Sequence, residues 1–154
     1  MGALRRRGGK PEGGQSLVEF SLALIPFMFL LMGVVDLGRG IYTNNGVAEA
    51  AREIARVTSV HPCTNSPCTS AGWSAEMLAV VNTQKALVPG LASSGISIDC
   101  VDISNAAYTV DPGETCPGGY FVRVTATTTF RLVSPLLPVP NPMTLSSTAH
   151  QQVP

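Results

Sequence analysis

The chain has 154 residues, 45% of them hydrophobic and only 13% charged, an apolar balance for one domain of ordinary size. The net charge is zero but unevenly placed: Arg5, Arg6, Arg7 and Lys10 against Glu12 give +3 in the first fourteen residues, and six basic against nine acidic residues leave −3 in the remainder. No basic surface survives outside the N-terminal stretch, which argues against nucleic acid as a partner and fits a basic flank held on the cytoplasmic side of a membrane.

An apolar run follows, "LVEFSLALIPFMFLLMGVVDL", Leu17 to Leu37, with no charge between Phe20 and Val35. As a helix it is about 31 Å long at roughly 1.5 Å per residue, close to the roughly 30 Å of a bilayer core. It holds two acids, Glu19 and Asp36, one near each end, and Pro26 in its first half. A proline there is tolerated in a membrane helix, where neighbours re-satisfy the freed carbonyl. The run is too long for a signal-peptide core, and no small-residue cleavage site follows it. A retained span is expected. Asp36 and Arg39, three apart, read as a helix-local ion pair at the outer membrane edge.

Ile41 to Val60 is predicted to continue as an amphipathic stalk helix, with Val47, Ala50, Ala51, Ile54, Ala55 and Thr58 on one side. Glu49–Arg52 and Glu53–Arg56 form opposite-charge pairs on the polar side. Gly38, Gly40 and Gly46 predict a soft place near residues 38–46, each costing up to about 1 kcal/mol against Ala. His61-Pro62 stops the helix. A second helix is expected over Trp73–Val88, capped by Ser74, with Met77, Leu78, Val81 and Leu87 as apolar positions and Pro89-Gly90 as its end. Ile96, Ile98 and Cys100 then alternate as a strand, and Val101 with Ile103 suggests a bulge. Tyr120 to Val133 alternates most clearly: Tyr120, Val122, Val124, Ala126, Thr128, Phe130 and Leu132 share one face. A proline-rich loop leads to a last strand at Met143–Ala149, with Met143, Leu145, Ser147 and Ala149 on one side. The expected class is α+β: a long N-terminal helix, a second helix and an antiparallel sheet of three or four strands.

Cys63, Cys68, Cys100 and Cys116 are an even set in an exported domain, which suggests disulfides. Of the three possible connectivities, Cys63–Cys68 with Cys100–Cys116 closes one predicted loop each. The rival is a metal site using His61, but neither cysteine spacing is a strong zinc pattern. Asp99, Asp102, Asp111 and Glu114 read as a solvated acidic turn rather than a calcium loop. No catalytic motif, phosphate loop or cofactor signature is present, so no enzyme, no cofactor and no small-molecule substrate are expected.

Glu19 has a cheap reading as an interfacial acid or one favoured by the helix N-terminus, but an intramembrane acid is costly enough to ask for a partner. Cutting between Gly14 and Gln15 makes Glu19 the fifth residue of the mature chain. A basic leader ending in glycine, a cut before an apolar helix and Glu at the fifth mature position resemble the processing site of the type IV pilin superfamily. Gly13 to Val57 further resembles the N-terminal signature of TadE-like proteins, minor pilins or pseudopilins of the Tad (tight adherence) pilus system. The shared features are Gln15, Val18-Glu19-Phe20, Pro26, Gly33, Asp36 to Arg39, Tyr42, Asn45, and Ala50-Ala51-Arg52-Glu53 before Ala55-Arg56. "TLSSTAH", Thr144 to His150, is similar to the family's last strand. Gln15 stands where many type IV pilins have Phe.

The resemblance implies a pilus-assembly subunit processed by a prepilin peptidase, with Glu19 pairing to an α-amine of another pilin subunit. It implies a leader over 1–14, a transmembrane helix over 15–40 and an extracytoplasmic domain over 41–154. That is a single-pass protein of the cytoplasmic membrane, in contact with lipid and the Tad secretion machinery. The competing expectation is an uncleaved anchor carrying an extracytoplasmic binding domain.

Overall fold

The structure is a computed structural model that describes residues 13–63, 68–111, 114–133 and 141–154. Residues 1–12, with all four N-terminal basic side chains, and most of the proline-rich loop lie outside them. The chain is α+β, with two α-helices and a three-stranded antiparallel sheet among the described residues.

Helix α1 (Gly13–Val60) is a single 48-residue rod with Pro26 inside it. Its first part stands free. Leu17, Phe20, Leu22, Leu30 and Val34 all point into open space, and burial first appears at Asp36. From Thr43 onward one stripe is covered: Val47, Ala50, Ala51, Ile54, Ala55 and Thr58 are all buried, the face that the 3.6-residue period predicts. The three alanines let the sheet close onto the helix, while Val47 and Ile54 each contribute roughly 1.5–3 kcal/mol of burial. Thr58, facing the same core, satisfies its hydroxyl by donating to the Ile54 carbonyl at 2.7 Å.

The soft place expected over 38–46 is not there, for α1 runs through it without a break. The glycines serve packing instead. A Cβ on Gly40 would lie 3.7 Å from the Phe130 ring, and one on Gly46 only 3.1 Å from a Val88 methyl. Absence of a side chain there lets the sheet end and the loop after the second helix reach the rod.

Helix α2 (Ala75–Leu87) starts two residues later than Trp73. The Ser74 hydroxyl caps it by accepting from the Met77 amide at 3.2 Å. Met77 and Val81 are buried as expected, but Leu78 and Leu87 are exposed, and Gln84 and Val88 take inner positions. Trp73 packs in the core just before the helix.

Strands β1 (Ile96–Val101), β2 (Phe121–Phe130) and β3 (Met143–Gln152) form the sheet in that order. Register between β1 and β2 is unbroken from Ile96↔Ala126 to Val101↔Phe121, so the expected bulge is absent. The strand simply ends at Val101. Asp102 then turns the chain, accepting from the Ser104 and Ala106 amides at 2.8 and 2.9 Å, with Asn105 at φ 65° and Ile103 left outside. In β2 the residues Val122, Val124, Ala126, Thr128 and Phe130 all face the core. The other face is wet and hydroxylated: Thr125 meets Thr148 at 3.0 Å and Thr127 meets Ser146 at 3.3 Å.

Candidate functional site

Two features set this chain apart from an ordinary small α+β domain: the free apolar arm of α1 and the latch that fixes its root. The arm is long and apolar enough to cross a membrane, and none of its most apolar window is buried. Apolar surface of that extent is not left in water without a partner or a bilayer. Gly14, Gln15 and Glu19 all lie exposed near its tip. Gln15 and Glu19 are one helical turn apart, and the Gln15 side-chain amide donates to the Glu19 carboxylate at 3.2 Å. This bond is local to one helix and solvent-exposed, so it leaves the carboxylate open to a stronger donor.

At the root, Asp36 is 2% exposed. Its carboxylate accepts from the Val133 amide, 3.0 Å to Oδ1 and 3.1 Å to Oδ2, and from Arg39 Nη1 at 3.3 Å. The i,i+3 pair expected from the sequence exists, but the main job of Asp36 is tertiary. It ties α1 to the chain leaving β2. Arg39 in turn lies 5.4 Å over the Phe130 ring. Beyond Val133 the chain is held again where the Asn141 amide donates to the Leu132 carbonyl at 3.3 Å. Nothing in the local sequence marks Asp36 as tertiary; its helical spacing from Thr43, seven residues on and also buried, is the one signal that could have found it.

The four cysteines collect at the opposite end of the domain. Cys63 is bonded to Cys68 and Cys100 to Cys116. Both disulfides line one cavity of about 240 Å³, together with Thr58, Tyr108 and Val122. His61 lies apart from any cluster, 4.0 Å from Glu76. The Glu76 carboxyl is held below its usual range, chiefly by a backbone hydrogen bond at Glu76 itself and then by His61 and Ser74. The four acids considered for calcium are not gathered either. Asp99 pairs with Arg123 across the sheet at 3.1 Å, and Asp102 spends its carboxylate on its own turn. Among the described residues no group of three or more His, Cys, Asp or Glu side chains is placed to hold a metal.

The arm and its root therefore belong to one continuous segment, separate from the disulfide end. That segment is the part of the chain with recognisable kin. Residues 14–56 match the family model of TadE-like protein. The TadE-like segment begins at the Gly14 of the arm, includes Glu19, Asp36 and Gly46, and stops within the buried stripe of α1, short of Val60. It covers well under half of the chain; α2, the sheet and both disulfides lie outside it. No curated protein and no solved structure matches the chain.

Proposed function

We propose that this protein is a minor pilin-like structural subunit of a Tad-type pilus, concerned with pilus assembly and surface adhesion. The observation that carries the reading is the exposed apolar arm with Glu19 near its tip, inside the TadE-like segment. In this reading α1 anchors the unassembled subunit in the cytoplasmic membrane, leader inside and α+β domain outside. A prepilin peptidase cuts between Gly14 and Gln15, at the exposed start of the rod. The arm then leaves the lipid and packs among equivalent arms of other pilin subunits, with the Tad secretion machinery driving the transfer. There the Glu19 carboxylate exchanges its weak Gln15 contact for a neighbour's α-amine. A buried ion pair contributes little net stability, but it penalises any wrong axial offset and so sets register. The role is structural rather than catalytic, and its partners are lipid and protein.

The decisive measurement is the N-terminus of the membrane-extracted protein by mass spectrometry, from cells with and without the prepilin peptidase. A terminus at Gln15 that depends on the peptidase is expected. Glu19→Ala is expected to abolish incorporation into pili while membrane insertion persists; normal assembly by that variant would refute the pairing. An intact leader would favour a second reading, an uncleaved anchor whose cavity between the two disulfides holds a ligand.

A further inference from the structure

We propose that the groove between α1 and the end of β2 holds the phosphate of an anionic phospholipid headgroup, in the leaflet on the domain's side. The groove has a volume of about 480 Å³ and is lined by Arg39, Tyr42, Phe130 and Arg131 together with Pro89 and Gly90. Its lining carries two guanidinium groups and no carboxylate. Arg131 is exposed. Arg39 is half-exposed, with one nitrogen on Asp36 and further N–H donors left for an anion. Planar guanidinium groups suit phosphate oxygens, which they can grip two at a time.

Height selects a lipid as the source of that phosphate. Counting from Leu37, the last residue of the apolar run, Arg39 lies about 3 Å and Tyr42 about 7.5 Å further along the rod at roughly 1.5 Å per residue. The headgroup layer is about 5–7 Å deep on each side of the hydrocarbon core. The groove thus opens at headgroup depth. Around it Leu37, Ile41 and Val133 are exposed apolar side chains, and Tyr42 is 64% exposed, the placement of an interfacial aromatic. Buried Asp36 adds no free acid to this mouth, since the Val133 amide and Arg39 already occupy its carboxylate. A headgroup bound here would hold the domain's base against the membrane until the arm is withdrawn, and release of that lipid would accompany assembly.

This assignment rests on the membrane-spanning reading of α1, so insertion is scored separately by alkaline extraction. The full chain is reconstituted in bilayers of phosphatidylcholine with or without phosphatidylglycerol, and lipids retained on the released protein are counted by native mass spectrometry. Wild type is expected to retain phosphatidylglycerol preferentially. Arg131→Gln should weaken the preference about fivefold, and the double variant with Arg39→Gln should remove most of it, at about fivefold per basic residue. Arg131→Lys should keep most of it. The Arg131 side chain is exposed and makes no contact with Asp36 among the bonds that form the latch, and the unfolding midpoint of each variant, followed by Trp73, separates loss of the site from loss of the fold. Equal retention of both lipids by inserted wild type, or undiminished preference in the inserted double variant, overturns the assignment. So does arginine-dependent binding of inorganic phosphate in lipid-free detergent that matches the lipid in strength, which would make the ligand a free phosphate. Failure to insert would instead overturn the spanning reading beneath it.

Discussion

Replacing Asp36 with alanine tests whether the root of the arm is held by a tertiary latch or by a helix-local ion pair. A local pair with a half-exposed arginine is worth about 0–1 kcal/mol. A latch predicts more. The Val133 amide donates to a charged acceptor at 3.0 and 3.1 Å, and hydrogen bonds to charged groups contribute about 1.5–3 kcal/mol. Alanine would also leave that amide without its acceptor inside the junction. Together these place the expected loss at about 2–3 kcal/mol for Asp36→Ala, and nearer 1 kcal/mol for Asp36→Asn, which keeps an acceptor without the charge. Urea unfolding of the full chain in detergent can be followed by Trp73, the sole tryptophan, which packs in the core. With a slope of about 2 kcal/mol per molar, the alanine variant should unfold about 1 M earlier. Amide exchange of Val133 should rise selectively in the same variant, because that N–H loses its acceptor. An unchanged midpoint together with unchanged Val133 exchange would refute the latch and return Asp36 to a local role.

Gly95→Ala should destabilise the domain by about 1–3 kcal/mol in the same assay, because the new methyl would collide with the Thr127 backbone carbonyl. Replacing Cys100 and Cys116 together by serine should cost about 3 kcal/mol, and the Cys63 and Cys68 pair about 2 kcal/mol, as loop-closure entropy scales with loop length. Equal losses would count against that entropic account. The Asp102 carboxyl is held below its ordinary range, first by the Ser104 hydroxyl and then by the Ala106 amide. Its contribution to the turn is therefore complete above the ordinary carboxylate range and is lost as pH falls through the depressed value. Exchange at the Ser104 and Ala106 amides, corrected for intrinsic rates, should show that loss on acidification, and Asp102→Asn should flatten it.

The parts of the fold that were legible in the sequence are those governed by period and by local chemistry. Val122 to Phe130 alternates because one sheet face is dry, and Ser74 caps α2 because its hydroxyl reaches an amide three residues on. Gly46 misled for a physical reason: glycine weakens a helix in isolation, but here it clears room for Val88, a partner 42 positions away in sequence that no local rule can supply. Asp36 was concealed by its own neighbour. An acid with an arginine three residues later is explained locally, so nothing calls for Val133. Val101 and Ile103 imitated a bulge because a buried strand end was followed by an exposed turn residue of the same apolar type. The arm was visible from composition and length alone, since a bilayer imposes length and the exclusion of charge directly on sequence.

Because α1 is one unbroken helix from the arm tip to the core, it behaves as a shaft keyed to its load. Glu19 and Asp36 are separated by about 25 Å of rise on the same rod, and Asp36 is locked to the domain. Rotating the tip by one residue's worth, about 100°, must therefore swing the whole sheet around the axis by a similar angle. In the proposed assembly, the neighbour paired with Glu19 at the far end of the shaft would set the heading of the disulfide-bearing end.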